Sequence, residues 1–289
     1  MRSVLVVRAG ALTTVQDGGR PGHAHLGVPR SGALDGAAHH LANRLVANAE
    51  EAAVLETTVD GVALEFASAA MVAVTGALAT VRLDGRTVGW GVPLAVPAGG
   101  TVDVGRALRG VRSYVAVAGG LRVPTVLGSA STDLLSGLGP APLAAGDVLL
   151  LGAATDRVVA LDMAPYRLPG DEVELVVSPG PRDDWLSPTG WATLASGTWR
   201  VAPESNRIAL RIEGPPVERD RRELRSEGLV AGAVQVLPDG QLVVFLADHP
   251  TTGGYPVAAV ADGVSVDRCA QVRPGGAVTF RVQSLPERR

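Results

Sequence analysis

The sequence predicts a mainly β protein built from two β-rich units with few short helices. Three observations carry this. Thirty-six glycines and 20 prolines punctuate the chain, and the runs between them are short and valine-rich, as strands bounded by turns are. The chain is 46% hydrophobic but only 3% aromatic, so its cores must be mostly Val, Leu and Ala. One stretch, Asp35 to Val46, has the clearest helical spacing of apolar residues.

Taken in order, Val4–Val7 reads as a first strand. The turn-rich, polar stretch from Val15 to Pro29 follows. Gln16, Asp17 and Arg20 sit there in one tight turn, where an Asp and an Arg can hold each other's geometry and Gly18-Gly19 permits unusual dihedrals. His23 and His25 would share one face of a strand. In the helix, Asp35 is the expected N-cap and Ala38, Leu41, Ala42 and Leu45 form the apolar stripe. Asn48 is a stop signal, and Ala49–Leu55 can add a helical turn. Val59–Phe66, Met71–Val74, Val81–Leu83 and Val92–Val96 read as short strands, with Asp84-Gly85 as a hairpin turn. Ser113–Ala118 is a buried strand ending in Gly119-Gly120. The hydroxyl-rich loop Gly128–Asp133 is either an anion cradle or an ordinary Ser/Thr-Asp turn.

Gly-Asp and Gly-Gly turns precede the strands Val148–Leu151 and Ala277–Val282, a hint of duplication without a clean repeat. Asp, Arg and Pro accumulate over Ala154–Pro169, which places the boundary between an N-terminal β-rich unit with one amphipathic helix, 1–165, and a C-terminal β unit, 166–289. Val173–Val177 opens the second unit. Glu218–Glu227, the most charged run, reads as a solvated loop or arm. The apolar run Leu242–Leu246 is a buried strand. It leads into A-D-H-P-T-T-G-G-Y-P, Ala247 to Pro256, where Asp248, His249, Thr251, Thr252 and Tyr255 crowd around Gly253-Gly254. A polar, glycine-bearing loop after a buried strand is a place for chemistry; a tight surface turn is the plainer alternative.

Composition excludes several classes. Net charge is −3, which gives no reason to expect nucleic acid or an anionic membrane as partner. No apolar run approaches the roughly 18 residues of a membrane-spanning helix. One cysteine, Cys269, allows no internal disulfide and fits a cytoplasmic protein. All 26 basic residues are arginine. A Schiff-base lysine, a Walker A lysine, a Ser/Lys amidase and a biotin-tethering lysine are therefore excluded on this chain. The histidines at 23, 25, 39 and 40 lack Cys or Asp/Glu neighbours at ligand spacing, so no metal site is expected.

Three long stretches then coincide: T-V-Q-D-G-G-R-P-G-H-A-H-L-G-V-P-R-S-G-A-L-D from Thr14, S-N-R-I-A-L-R-I-E-G-P from Ser205, and G-A-V-Q-V-L-P-D-G-Q-L-V-V-F-L-A-D-H-P-T-T-G-G-Y-P from Gly232. With Y-V-A-V-A-G-G and G-S-A-S-T-D, they resemble the biotin-dependent carboxyltransferase family, which includes allophanate hydrolase subunit 2, the C component of 5-oxoprolinase and KipA. The resemblance runs in order over nearly the whole chain. It implies a cyclophilin-like β-barrel architecture, a partner of the subunit-1 type (KipI or the 5-oxoprolinase B component), a third chain in the 5-oxoprolinase case, and no activity without a partner. It also implies a small amide, urea-like or lactam substrate, with the site at the interface with subunit 1. No cofactor is expected to be bound covalently; ATP or carboxybiotin would come from partner chains. A KipA-like regulatory partner without catalysis is the alternative, and fold analogy alone suggests a prolyl isomerase.

Carried over position by position, the resemblance marks Asp248, Thr252 and Tyr255 as catalytic. It marks Gln16, Asp17, Arg20, Ser205, Asn206, Arg207, Gln235, Thr251, Gly253 and Gly254 as substrate-binding. Two arginines usual in the family are missing. One is absent from Gly137–Leu143, and His249 stands in place of the other. Their loss implies weaker anion binding or a different anionic substrate.

Overall fold

A computed structural model describes residues 2–153 and 168–283. The chain divides into two compact units, Met1–Arg20 with Ser31–Pro169, and Pro21–Arg30 with Gly170–Arg289. The boundary expected at 165/166 lies outside the described residues. Pro21–Arg30, N-terminal in sequence, belongs to the second unit.

Among the described residues, the first unit is a ten-stranded sheet. Its longest members, Ala70–Leu83 and Thr101–Val117, pair antiparallel with register shifts between Gly76 and Val81. The two short strands expected at Met71–Val74 and Val81–Leu83 are thus one. Gly76 has φ 84°, so it bends the strand through a bulge instead of ending it. The Asp84-Gly85 hairpin forms, with φ of 49° and 78° at the two turn residues and Leu83 opposite Arg86. Val59–Phe66 is shorter than expected. Val59 and Gly61 take positive φ and the strand is Ala63–Phe66.

Helix α1 spans Gly36–Leu45. The Asp35 carboxylate accepts from Ala38 N at 2.9 Å, the expected cap. Ala38, Leu41, Ala42 and Leu45 pack on Val54, Ala73, Tyr114 and Ala116. The helix stops at Val46 because Ala47 turns left-handed, φ 56°. Asn48 then ties the exit to the sheet, donating to Val117 O and accepting from Gly119 N. Ala49–Leu55 adds no helix; it turns into the strand Val54–Thr58. A second, valine-rich cluster fills the rest of this unit, including Val4, Val6, Val15, Leu55, Leu64, Phe66, Val102 and Val115.

The second unit contains a closed seven-stranded barrel. Its order is Glu172–Pro179, Val257–Ala261, Ala233–Val236, Leu242–Phe245, Ala209–Glu213, Trp199–Val201 and Ala277–Val282. A parallel pairing, Glu172↔Ala277 through Val177↔Val282, closes it. Closure removes the free sheet edges. Trp199, fully buried, packs edge-to-face on Phe280 with centroids 5.2 Å apart. Helices α2 (Pro188–Ser196) and α3 (Gly263–Cys269) start from the N-caps Ser187 and Asp262. His23 and His25 flank and join a 3₁₀ turn, Ala24–Leu26, not a strand, because Gly22 and Gly27 both take positive φ and close a turn around it.

The charged run Glu218–Glu227 is not freely solvated. Arg222 stacks over Trp185 at 4.7 Å, Asp220 N donates to Trp185 O, and Arg182 grips Glu227 through two hydrogen bonds. Glu227–Gly228 in turn pairs with Thr252–Gly253.

Candidate functional site

In the first unit the turn after the strand Leu12–Gln16 is built onto the hydroxyl-rich loop 128–133. Asp17 Oδ1 accepts from Ser129 Oγ and Ser131 Oγ, both at 2.6 Å, and from Gly19 N at 2.8 Å. Its Oδ2 accepts from Ala130 N at 2.6 Å. The expected Asp17–Arg20 link therefore runs through Ser131, whose carbonyl accepts from Arg20 Nη2. Arg20 Nε also donates to Val126 O. Gln16 Nε2 donates to Thr132 O at 2.9 Å.

Two polar atoms remain in this turn. Gln16 Oε1 and Arg20 Nη1 are buried and have no hydrogen-bond partner among the described residues, on side chains 0% and 1% exposed. A buried acceptor or donor without a partner costs about 1–3 kcal/mol, more when charged, so such a pair is an unusual expense for a fold. The surrounding glycines are close to their neighbours, Gly32 against backbone and Gly18 against the movable Glu51 side chain. A Cβ on Gly18 would lie 1.8 Å from Glu51 Oε2, and one on Gly32, φ 93°, would lie 2.9 Å from Gly19 N. Gly139 packs against Ser131 O and Arg20 Nη2.

In the second unit Arg207 and Asp248 form a bidentate pair, Nε to Oδ2 at 2.9 Å and Nη2 to Oδ1 at 3.0 Å. Asp248 N also donates to Arg207 O. Both side chains are withdrawn from solvent. Ser205 and Asn206 serve the turn beside them. Ser205 Oγ bridges Arg211 N and O, and Asn206 Oδ1 accepts from Ile208 N and Ala209 N. Buried Gln235 donates to Tyr255 O at 2.8 Å, and a Cβ on Gly253 would meet Gln235 Nε2 and Leu229 Cδ1, each at 2.8 Å. His249 turns its Nδ1 to Pro250 O.

What this loop offers to solvent is Thr252, Gly254 and Tyr255, the tyrosine 43% exposed; Thr251 and Gly253 are half-buried. The structure thus gathers Gln16, Asp17 and Arg20 in the first unit. In the second it gathers Arg207 with Asp248, and Gln235 with the Thr251–Tyr255 loop. Ser129, Ser131 and Thr132 join the first group, and Arg182, Glu227 and Leu229 support the second. None of the six was among the site residues expected from sequence. Hydroxyls in a Gly-Ser-Ala-Ser-Thr-Asp loop were the one visible signal.

A buried network that sequence reasoning missed also lies in the first unit. The Tyr114 hydroxyl donates to Glu56 Oε2 at 2.9 Å and accepts from Asp35 N. Burial, then the Glu56 charge, push the phenol well above its usual range. Nothing in V-L-E-T-T distinguishes a buried glutamate from an exposed one.

A family model described as carboxyltransferase domain, subdomain A and B, matches residues 26–282. The chain is 37% identical to the C component of 5-oxoprolinase from Escherichia coli K12 over 98% of its own length and 92% of that protein's. It is 30% identical to the urea amidolyase of Saccharomyces cerevisiae, covering 96% of this chain and 16% of that one. The crystal structure of TTHA0988 superposes with a TM-score of 0.89 at 37% identity, covering 97% of this chain and 55% of that chain. The Kluyveromyces lactis urea amidolyase superposes with a TM-score of 0.90 at 27% identity over 98% of this chain and 19% of that one. This chain therefore spans about half of TTHA0988 and a smaller part of the amidolyases.

Proposed function

The chain belongs to the carboxyltransferase domain family, subdomains A and B, and on that premise we propose that it is one subunit of a multi-subunit enzyme acting on a small amide, urea-like or lactam substrate. A 5-oxoprolinase is the first choice, from the near full-length similarity to the C component of that enzyme. The chain works with a separate subunit-1-type partner (KipI-like, or like the 5-oxoprolinase B component) and is inactive alone. The extra length of TTHA0988 and of the urea amidolyases is where such partner functions would be fused. ATP or carboxybiotin is supplied by partner chains, because a protein without lysine has no tether for biotin and no Walker A lysine.

One observation carries the substrate class: the acceptor Gln16 Oε1 and donor Arg20 Nη1, buried in one turn and without a partner among the described residues, which a substrate reaches once that turn opens. An amide presents the complement, an N–H to the glutamine and a C=O to the guanidinium. Asp17, saturated by protein donors, holds the turn in place. In the second unit, the Thr252 and Tyr255 hydroxyls form a separate group of exposed donors, of the kind that suits a developing oxyanion. Asp248 acts through Arg207, keeping the loop in position, and the Thr252–Tyr255 loop faces the subunit-1-type partner.

The test is reconstitution with the subunit-1-type partner and the third chain, assaying ATP-dependent glutamate release from 5-oxoproline. Turnover should need all three chains. Arg20→Met and Gln16→Leu should raise KM or abolish turnover while the complex still assembles, and Tyr255→Phe should lower kcat. Full activity in all three variants would sink the site assignment. A stable binary complex with turnover of neither 5-oxoproline nor, with a biotin carboxylase, urea would instead favour a KipA-like regulatory role.

A further inference from the structure

Among the described residues, one cluster outside this chemistry has the composition of a transition-metal site. His39 and His40 lie on α1 and Glu51 on the loop that follows. One ring nitrogen from each histidine and one carboxylate oxygen all fall within 4.8 Å of one another. His40 Nε2 is already 3.1 Å from Glu51 Oε1. Ligand atoms about 2.0–2.1 Å from a tetrahedral zinc are roughly 3.3–3.5 Å apart, so this pair has to open slightly and the third ligand to close in. We propose that His39, His40 and Glu51 bind a divalent transition ion of the zinc, cobalt or nickel type, with water completing the coordination.

The supporting groups fit. Asn43 Nδ2 spends its two hydrogens on Glu50 O and Ala52 O, at 3.0 and 2.8 Å. His39 Nε2, 2.9 Å from Ala52 O, is then the protonated nitrogen. That tautomer leaves the lone pair on Nδ1, so the proposal requires ligation through Nδ1, with the other N–H held by a backbone carbonyl as is usual around bound metals. His40 is half-buried and Glu51 exposed, which lets both move the remaining distance. Glu51 Oε2 rests against the α-carbon of Gly18, where any Cβ would collide with it. A bound ion would pin that carboxylate over the turn that carries Asp17 and Arg20. Two histidines with one carboxylate and open positions suit borderline ions and not calcium or magnesium.

The experiment is calorimetric titration of ZnCl₂ and NiCl₂ into the untagged, EDTA-stripped full chain, with cobalt absorption as a second readout. We expect one saturable site and cobalt d–d bands. His40→Ala and Glu51→Gln should each weaken binding at least about tenfold, the loss that even outer-sphere partners of a metal produce. His23→Ala and His25→Ala should leave it unchanged. Both ligand changes are at solvent-accessible side chains, so folding of the variants is readily checked by circular dichroism. No saturable binding to the wild-type chain, or wild-type affinity in folded His40→Ala and Glu51→Gln, overturns the proposal.

Discussion

Arg207 and Asp248 face each other across 41 residues of sequence as a bidentate ion pair, both side chains essentially closed to water. A carboxylate so placed secures the loop it begins. Asp248→Asn leaves a buried guanidinium without its counter-charge, which costs about 3–5 kcal/mol. Urea unfolding should show a lower midpoint with unchanged slope. A variant as stable as wild type, inactive in the complex, would instead make Asp248 a directly reacting group.

Asp17→Ala should loosen the loop 129–131. The variant loses an acceptor used by two hydroxyls and two backbone amides, and we expect roughly 3 kcal/mol of destabilisation. Hydrogen exchange would show it directly, since Ala130 N and Gly19 N should lose protection while the amides of the helix Gly36–Leu45 keep theirs.

Gly253→Ala should disturb the second group without touching any charge. The added methyl meets Gln235 Nε2 and Leu229, and overpacking of this kind costs about 1–3 kcal/mol. It also pushes Gln235 from Tyr255 O. Retained stability and unchanged partner binding would show that the loop gives way freely.

His39 predicts an acid weakness. Its folded pKa is lowered, chiefly by burial. For a base this means the unfolded chain takes up the proton first as pH falls. Stability is therefore fully present above about 6.5, the ordinary histidine value, and declines as pH drops from there toward the lowered folded pKa. In EDTA, the urea midpoint should fall between pH 7.5 and 5.5 for wild type and fall less for His39→Gln, which keeps a donor for Ala52 O. Equal pH dependence in both proteins would show that another group carries it.

How much of this was legible beforehand depends on the range of each interaction. The N-cap Asp35, the apolar stripe of the helix and the Asp84-Gly85 hairpin were readable, because each is a pattern of residues close together along the chain. The long strand Ala70–Leu83 was not, because a glycine that bulges a strand looks in sequence like one that ends it. The 3₁₀ turn at Ala24–Leu26 was missed for a similar reason: alternating histidines resemble a strand until the flanking glycines take positive φ.

The sequence by itself determined the mainly β class, the absence of lysine chemistry, and the family. Local propensity, periodicity and residue type are properties of the chain alone. Only the tertiary structure decided what those polar residues do. Asp17 meets Ser129 and Ser131 more than 110 residues away, and Asp248 meets Arg207 because Ala209–Glu213 and Leu242–Phe245 are neighbours in the barrel. Whether a carboxylate is a saturated clamp, a buried counter-ion or an exposed ligand depends on which donors the topology brings to it. Sheet pairing sets that at long range, where no spacing in the sequence records it.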